Sequence, residues 1–226
     1  MRFHKIYIQQ NILCLIIFTL ILATCMVLYP GGSHFNNSAD HYLFFENFIS
    51  HLGKTSTSSG NDNYTNSILF KGGVYLISIS FALLFLFQPL VFKTHAPSFR
   101  LSVFSSALAL CSALAFIGIG YYSADPSTLQ IHLAFVKTSF YLFFVSCLTQ
   151  TVAIRLHPKL PKTMFYNALV FSLGLLSYNL LIEFGPRPNT DIISLLVQVT
   201  AQKAIAILFI LNFIIQGFTL LRVLKK

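Results

Sequence analysis

The chain has 226 residues, of which 55% are apolar and only 9% charged, and a formal net charge of +9. An average soluble domain carries about 25% charged residues, so this composition, with a mean hydropathy of +0.72, excludes a water-soluble globule and requires much of the surface to face lipid. The basic excess does not argue for nucleic acid, because it is sorted by side of the membrane, as set out below.

Six apolar runs are long enough to cross a bilayer as helices, which takes about 20 residues each. They are Ile12 to Tyr29, Gly72 to Phe92, Leu101 to Tyr122, Leu129 to Ile154, Met164 to Ile182 and Ala201 to Leu221. The expected fold is all-α: one transmembrane bundle of six helices spanning 1–226, with a long first outer loop over 30–71. Arg2 and Lys5 precede the first run, and "LATC" at Leu22 to Cys25 faintly resembles a lipoprotein cleavage box. The threonine before the cysteine does not suit that box and the apolar core is long for a signal, so the run reads as a span.

The first connection contains "SADHYLFFENFISHLGK". Ser38 or Asp40 is a candidate N-cap, Phe45, Phe48, Ile49 and Leu52 fall on one helical face, and Gly53 supplies a stop. The spacing predicts a short amphipathic helix from Asp40 to Gly53, lying on the outer leaflet or folded over the bundle. "TSTSSGNDNYTN", Thr55 to Asn66, reads as a polar loop. Asn36 and Asn63 begin glycosylation-type sequons, which matter only in a eukaryotic secretory pathway.

Small residues in the third span, Ser102, Ser106, Ala109 and Ala113, allow close approach of a neighbouring backbone. In the fourth, His132, Ser139, Ser146 and Gln150 form one polar stripe. Asp191, Ser194, Gln198 and Gln202 align at the start of the sixth. The cysteines Cys14, Cys25, Cys111 and Cys147 lie within spans at no metal or redox spacing, and read as packing residues.

Charge fixes the expected orientation. Arg2, Lys5, Lys93, Arg100, Arg155, Lys159, Lys162, Arg222, Lys225 and Lys226 fall on one side, and all six acids, Asp40, Glu46, Asp62, Asp125, Glu183 and Asp191, on the other. Cationic short loops stay in the cytoplasm, so both termini are expected inside.

Two lysines fall within spans. At about 1.5 Å of rise per residue, Lys137 lies about 27 Å from the inner anchor Arg155, and Lys203 about 28 Å from Arg222, so both reach the outer boundary of a core about 30 Å thick. Each could snorkel to the interface without a partner. The outer face also gathers every acid, His34, His41, His51 and His132, and several amides. The expected site is therefore a shared outer cavity built on Lys137, Lys203, Glu183 and His132, with Glu183 as counter-ion to one of the lysines. His51, Glu46, Asn47, Asp125 and Gln202 complete the candidate set.

That set suggests binding of a lipid headgroup or small polar ligand, with membrane lipids as the expected partners. The cations would hold an anionic group, His132 and Glu183 would orient it, and the Asp40 to Gly53 helix would act as lid. Two rivals come from the same residues: a membrane-embedded lipid hydrolase or transferase using His132, His51 and Asp125, and a proton- or ion-coupled transporter using the Ser139, Ser146 and Gln150 stripe with Asn212 and Gln216. No cofactor or metal is expected. His34, His41 and His51 are spaced so that they give no helical ligand face, and there is no phosphate loop of recognised form.

The run "FFENFISHLGKT", a polar loop, "NSILFKGG" opening a span and "HLAF" opening the fourth span together resemble the six-span prokaryotic membrane family catalogued as domain of unknown function nine hundred ninety-eight. That family is more distantly similar to the eukaryotic Sfk and DRAM membrane proteins. Ser50, Leu52, Gly53, Phe70, Gly73 and His132 carry the match, whereas His51 stands where the family pattern has aspartate. The resemblance implies a six-span architecture in the plasma membrane of a prokaryote, and through the distant relatives a loose link to lipid distribution. It implies no activity.

Overall fold

The computed structural model describes residues 2–223. Six helices account for most of them: α1 Arg2–Leu28, α2 Tyr64–Phe87, α3 Ala96–Tyr121, α4 Leu129–Leu156, α5 Lys162–Phe184 and α6 Ile192–Val223. All six are long and apolar enough to cross a membrane. Among the described residues there is no β-strand, only an isolated bridge between Ser56 and Asp62.

Each helix packs on the next in chain order, and α6 returns to α1, so the bundle closes as a ring. Connections 29–63, 122–128 and 185–191 gather at one end, here the cap end; those at 93–95 and 157–161 lie at the other. Short connections force antiparallel neighbours.

The helices run past the apolar runs at several ends. Pro97 sits in the first turn of α3, where its missing N–H and preset φ cost nothing, so that helix begins at Ala96. α2 begins at Tyr64, well before Gly72, because its polar first turns are paired with protein. The Asn66 amide donates to the carbonyl of Cys25 at 3.2 Å and to Asn63 Oδ1 at 3.0 Å, and Asn63 donates to the carbonyl of Lys54 at 2.8 Å. Lys71, expected in the loop, is therefore a helical residue.

The expected amphipathic helix over Asp40 to Gly53 does not form. Only Ile49–Gly53 is helical, as a single 3-10 turn. The buried side chain of Asn47 displaces helix pairing upstream: its Oδ1 accepts from the backbone of Leu43 at 2.9 Å, and its Nδ2 donates to the carbonyl of Gly32 at 2.9 Å. Such side chain to backbone bonds compete directly with helix formation. Phe44 and Phe45 are consequently exposed, while Leu52 is fully buried.

Two glycines make this segment fold back. Gly31 has φ +96, and a Cβ there would collide with the carbonyl oxygen of Ala39. Gly53 lies flat against the ring of Phe70, where a Cβ would meet ring carbon at 2.7 Å. The result is a cap across the end of the ring, whose underside packs Tyr42 and Leu52 on Leu22, Cys25, Tyr29, Phe70 and Val74. Below it the bundle centre is aromatic, with Phe81, Phe85, Phe143, Phe171, Phe209 and Phe213 in mutual contact.

The α3–α4 seam is polar. Ser105 and Ser146 exchange hydroxyl to carbonyl bonds at 2.9 and 2.8 Å, and two turns away Ser112 donates to the carbonyl of Ser139 at 2.9 Å. The stripe on the fourth span thus meets Ser105 and Ser112 of the third, which lie around the helix from the expected row of Ser102, Ser106, Ala109 and Ala113, and there serine side chains let the backbones approach. Cys14, Cys25 and Cys147 are buried; Cys111 is exposed on the outside of the bundle.

Candidate ligand chamber and its cap

Inside the ring, beneath the cap, lies a cavity of about 140 Å³. All six helices and the cap contribute to its wall. Phe143, Phe171 and Phe209 close it towards the bundle centre, and from His132 to Phe143 along α4 is about 16 Å of rise. Its polar lining residues are Ser50, His132 and Gln202, all at the cap end; among the described residues no charged side chain lines it. This is a chamber with one polar end and an apolar body.

His132 is 3% exposed and opens α4. Its Nδ1 lies 2.7 Å from the carbonyl of Tyr122, just beyond the end of α3, so the short connection 122–128 fixes the ring orientation. Phe135, one turn on, stacks on the Tyr122 ring at 5.6 Å. Gln202 joins α6 to the cap, its Oε1 accepting from the backbone of Ile49 at 2.7 Å.

Lys203, the next residue, turns away from the chamber. It is 4% exposed, and its Nζ donates to the carbonyl of Asn47 at 2.6 Å. Its ammonium stands 5.4 Å from the ring centroid of Tyr42 and 4.9 Å from that of Phe44. No carboxylate pairs with it among the described residues. A carbonyl and two aromatic faces are what stabilise this buried cation, and both adjacent α6 residues therefore hold the cap down.

Asn47 organises the cap itself. It is fully buried, its carbonyl also accepts from Tyr42 Oη at 2.8 Å, and its Nδ2 faces His51 Nδ1 at 3.4 Å. Burial pushes the His51 imidazole down to about 3, and the nearby charges of Lys54 and Lys203 act in the same direction. The ring is thus held neutral, with Nδ1 accepting.

The remaining candidates fall elsewhere. Lys137 pairs with Glu183 at 2.8 Å, and Tyr141 donates to the same carboxylate oxygen at 2.7 Å. This pair lies on the outside of the bundle between α4 and α5, with side chains 43% and 41% exposed. It is not part of the chamber, so the expected four-residue cavity is corrected: His132 lines it, while Lys137, Glu183 and Lys203 do not. The reason is angular. Lys137 is five residues beyond His132, about 140° around the helix.

Glu46 accepts from Ser33 at 2.6 Å, and Asp125 spends its two oxygens on Ser123 at 2.6 Å and the backbone of Thr55 at 3.0 Å. Both carboxylates pin loop to loop and neither lines the chamber. Neither Asp125 nor His51 lines the chamber beside His132, and both are engaged by cap neighbours. Among the described residues no three His, Cys, Asp or Glu side chains gather to hold a metal ion.

Three residues that matter here escaped sequence reasoning. Tyr141 stands four residues after Lys137, a helical neighbour that the spacing could have revealed. Tyr42 and Tyr122 act through the folded shape of the cap or through a backbone carbonyl, which leave no pattern in the sequence.

The fold and site define the class: a polytopic membrane bundle of six helices, closed into a ring around a capped chamber. No family model matches the chain, and no curated protein or solved structure matches it.

Proposed function

We propose that this membrane protein binds a lipid-type amphiphile in its central chamber, the apolar body among the phenylalanines and the polar end beneath the cap. The observation that carries this reading is the polarity gradient of the chamber: Ser50, His132 and Gln202 at one end, apolar side chains everywhere else. Concave, mainly apolar sites with a few convergent polar groups are the usual form of small-molecule sites. The anionic-headgroup version loses its support, because the two lysines that would have held the anion point to a backbone carbonyl and to an outside carboxylate.

The cap faces the outside of the cell in this reading, since the opposite end holds Lys93, Arg155, Lys159 and Lys162, and such loops are retained in the cytoplasm. The likeness to the six-span family of unknown function belongs to the same reading. Ser50 and His132 of the shared motif line the chamber, and Leu52, Gly53 and Phe70 pack where the cap meets the ring.

The test fills the chamber. Ala206 lines it on α6, and Ala206→Phe should abolish the lipid that native mass spectrometry detects on the purified protein while leaving a monodisperse, helical sample. Undiminished lipid on that variant would overturn the reading.

A further inference from the structure

The polar end of the chamber has a defined hydrogen-bonding sense. A carbonyl only accepts, so the 2.7 Å approach of His132 Nδ1 to the Tyr122 carbonyl places the ring hydrogen on Nδ1. In a neutral imidazole the other nitrogen is then a lone-pair acceptor. The ring is 3% exposed beside an apolar chamber and has no carboxylate bonded to it; charging it there would be costly. The backbone carbonyl of Ile119, near the end of α3, also acts on the ring, and among the described residues no side chain pairs with Nε2.

The neighbouring groups complete the pattern. Gln202 has its oxygen committed to Ile49, and the Ser50 hydroxyl, which can donate or accept, makes no side-chain hydrogen bond among the described residues. A carboxylate or phosphate entering the chamber finds no cation, since Lys203 and Lys137 are turned elsewhere. An ammonium finds no anion, since Glu183, Asp125 and Glu46 are outside the wall and already paired. An uncharged donor meets a free acceptor.

Resting on the chamber reading above, we infer that the ligand is an aliphatic alcohol: an uncharged molecule whose hydroxyl donates to His132 Nε2 beside Ser50 while its hydrocarbon chain runs into the phenylalanine-lined body. The cavity of about 140 Å³ is close to the roughly 150 Å³ of an apolar protein cavity that admits benzene, which suits a hydroxyl and the first part of a slender chain.

The test holds the tail constant and changes the head. Tritiated 1-octanol is equilibrated with the protein in nanodiscs, empty nanodiscs being subtracted, and competed with octane, octanoate or octylamine at pH 7.5. One unpaired hydrogen bond is worth roughly a factor of ten, so 1-octanol should bind roughly tenfold more tightly than any competitor. His132→Phe should bring 1-octanol down to the level of octane while octane binding persists.

Tighter binding of octanoate or octylamine would overturn the alcohol and keep the chamber. Equal binding of octane and 1-octanol would overturn it as well. A preference for 1-octanol that survives His132→Phe would remove His132 from the site. Failure of all four to bind would overturn the chamber reading itself. The head comparison is made on the unaltered protein, so it decides the inference even if the His132→Phe chain does not fold.

Discussion

Asn47 shows how one side chain can decide a segment that helical periodicity misreads. Its amide pairs with Leu43 and Gly32 and its carbonyl receives both Tyr42 and Lys203. Asn47→Ala leaves the buried Gly32 carbonyl and Leu43 amide without these partners, at about 1–3 kcal/mol for each group left unpaired. Proteolysis within 30–63 should accelerate sharply in that variant while the helices stay protected; an unchanged nicking rate would contradict the role given to Asn47. His51 adds a pH dependence. Its folded value, about 3, lies below the ordinary 6.5, so between those values the opened cap binds a proton that the closed cap does not. The charged groups around it, Lys54 and Lys203, and the other imidazoles, His132 and His34, all act in the same direction. Cap stability is therefore full above about pH 6.5 and falls as the pH drops towards 3. Amide exchange at Ile49, corrected for intrinsic rate, should show this loss of protection, and His51→Gln should flatten it. Lys137→Met, by contrast, should leave lipid retention unchanged, because its ion pair lies outside the chamber; loss of lipid in that variant would return Lys137 to the site.

At the scale of elements, the α3–α4 seam is where composition and packing agree. The seven-residue recurrence of Ser139 and Ser146 on one helix indicates a helix-facing stripe, and the structure joins it to Ser105 and Ser112 of the other, beside and not on the expected row of small residues. Hydrogen bonds of this kind between spans average about 0.6 kcal/mol, so Ser105→Ala should shift the denaturant midpoint only slightly. Ser105→Leu drives a branched side chain between touching backbones and should cost about 1–3 kcal/mol. Equal midpoints for the two variants would show that small size at this position is not what the seam requires. The cap was less legible. Its register of Phe45, Phe48, Ile49 and Leu52 fits a helix, but the pairing of buried Asn47 and the approach of Gly53 to Phe70 leave one 3-10 turn. A periodic pattern states which residues are apolar, and it is silent on polar side chains that outbid the helix for its own backbone.

For the molecule as a whole, closure of six helices into a ring creates both the chamber and the need for a cap. Orientation is the prediction at this scale. A membrane-impermeant thiol reagent applied to intact cells should label Ser59→Cys in the cap and should not label Lys159→Cys at the opposite end, each on a background with Cys111 replaced; the reverse pattern would invert the proposed topology. What the chain determined by itself is the inventory of six helices long and apolar enough to cross a membrane, the end of the bundle at which the acids collect, and the height of Lys137 and Lys203 along their helices, because hydropathy, charge and rise per residue are one-dimensional quantities. What only the tertiary structure decided is which of those polar groups share a space. Azimuth around each helix and the identity of the facing neighbour separate Lys137 from His132 and Lys203 from Gln202, although each pair lies close along the chain. Depth can be counted along a helix, whereas a cavity exists only where several helices turn their faces to a common axis.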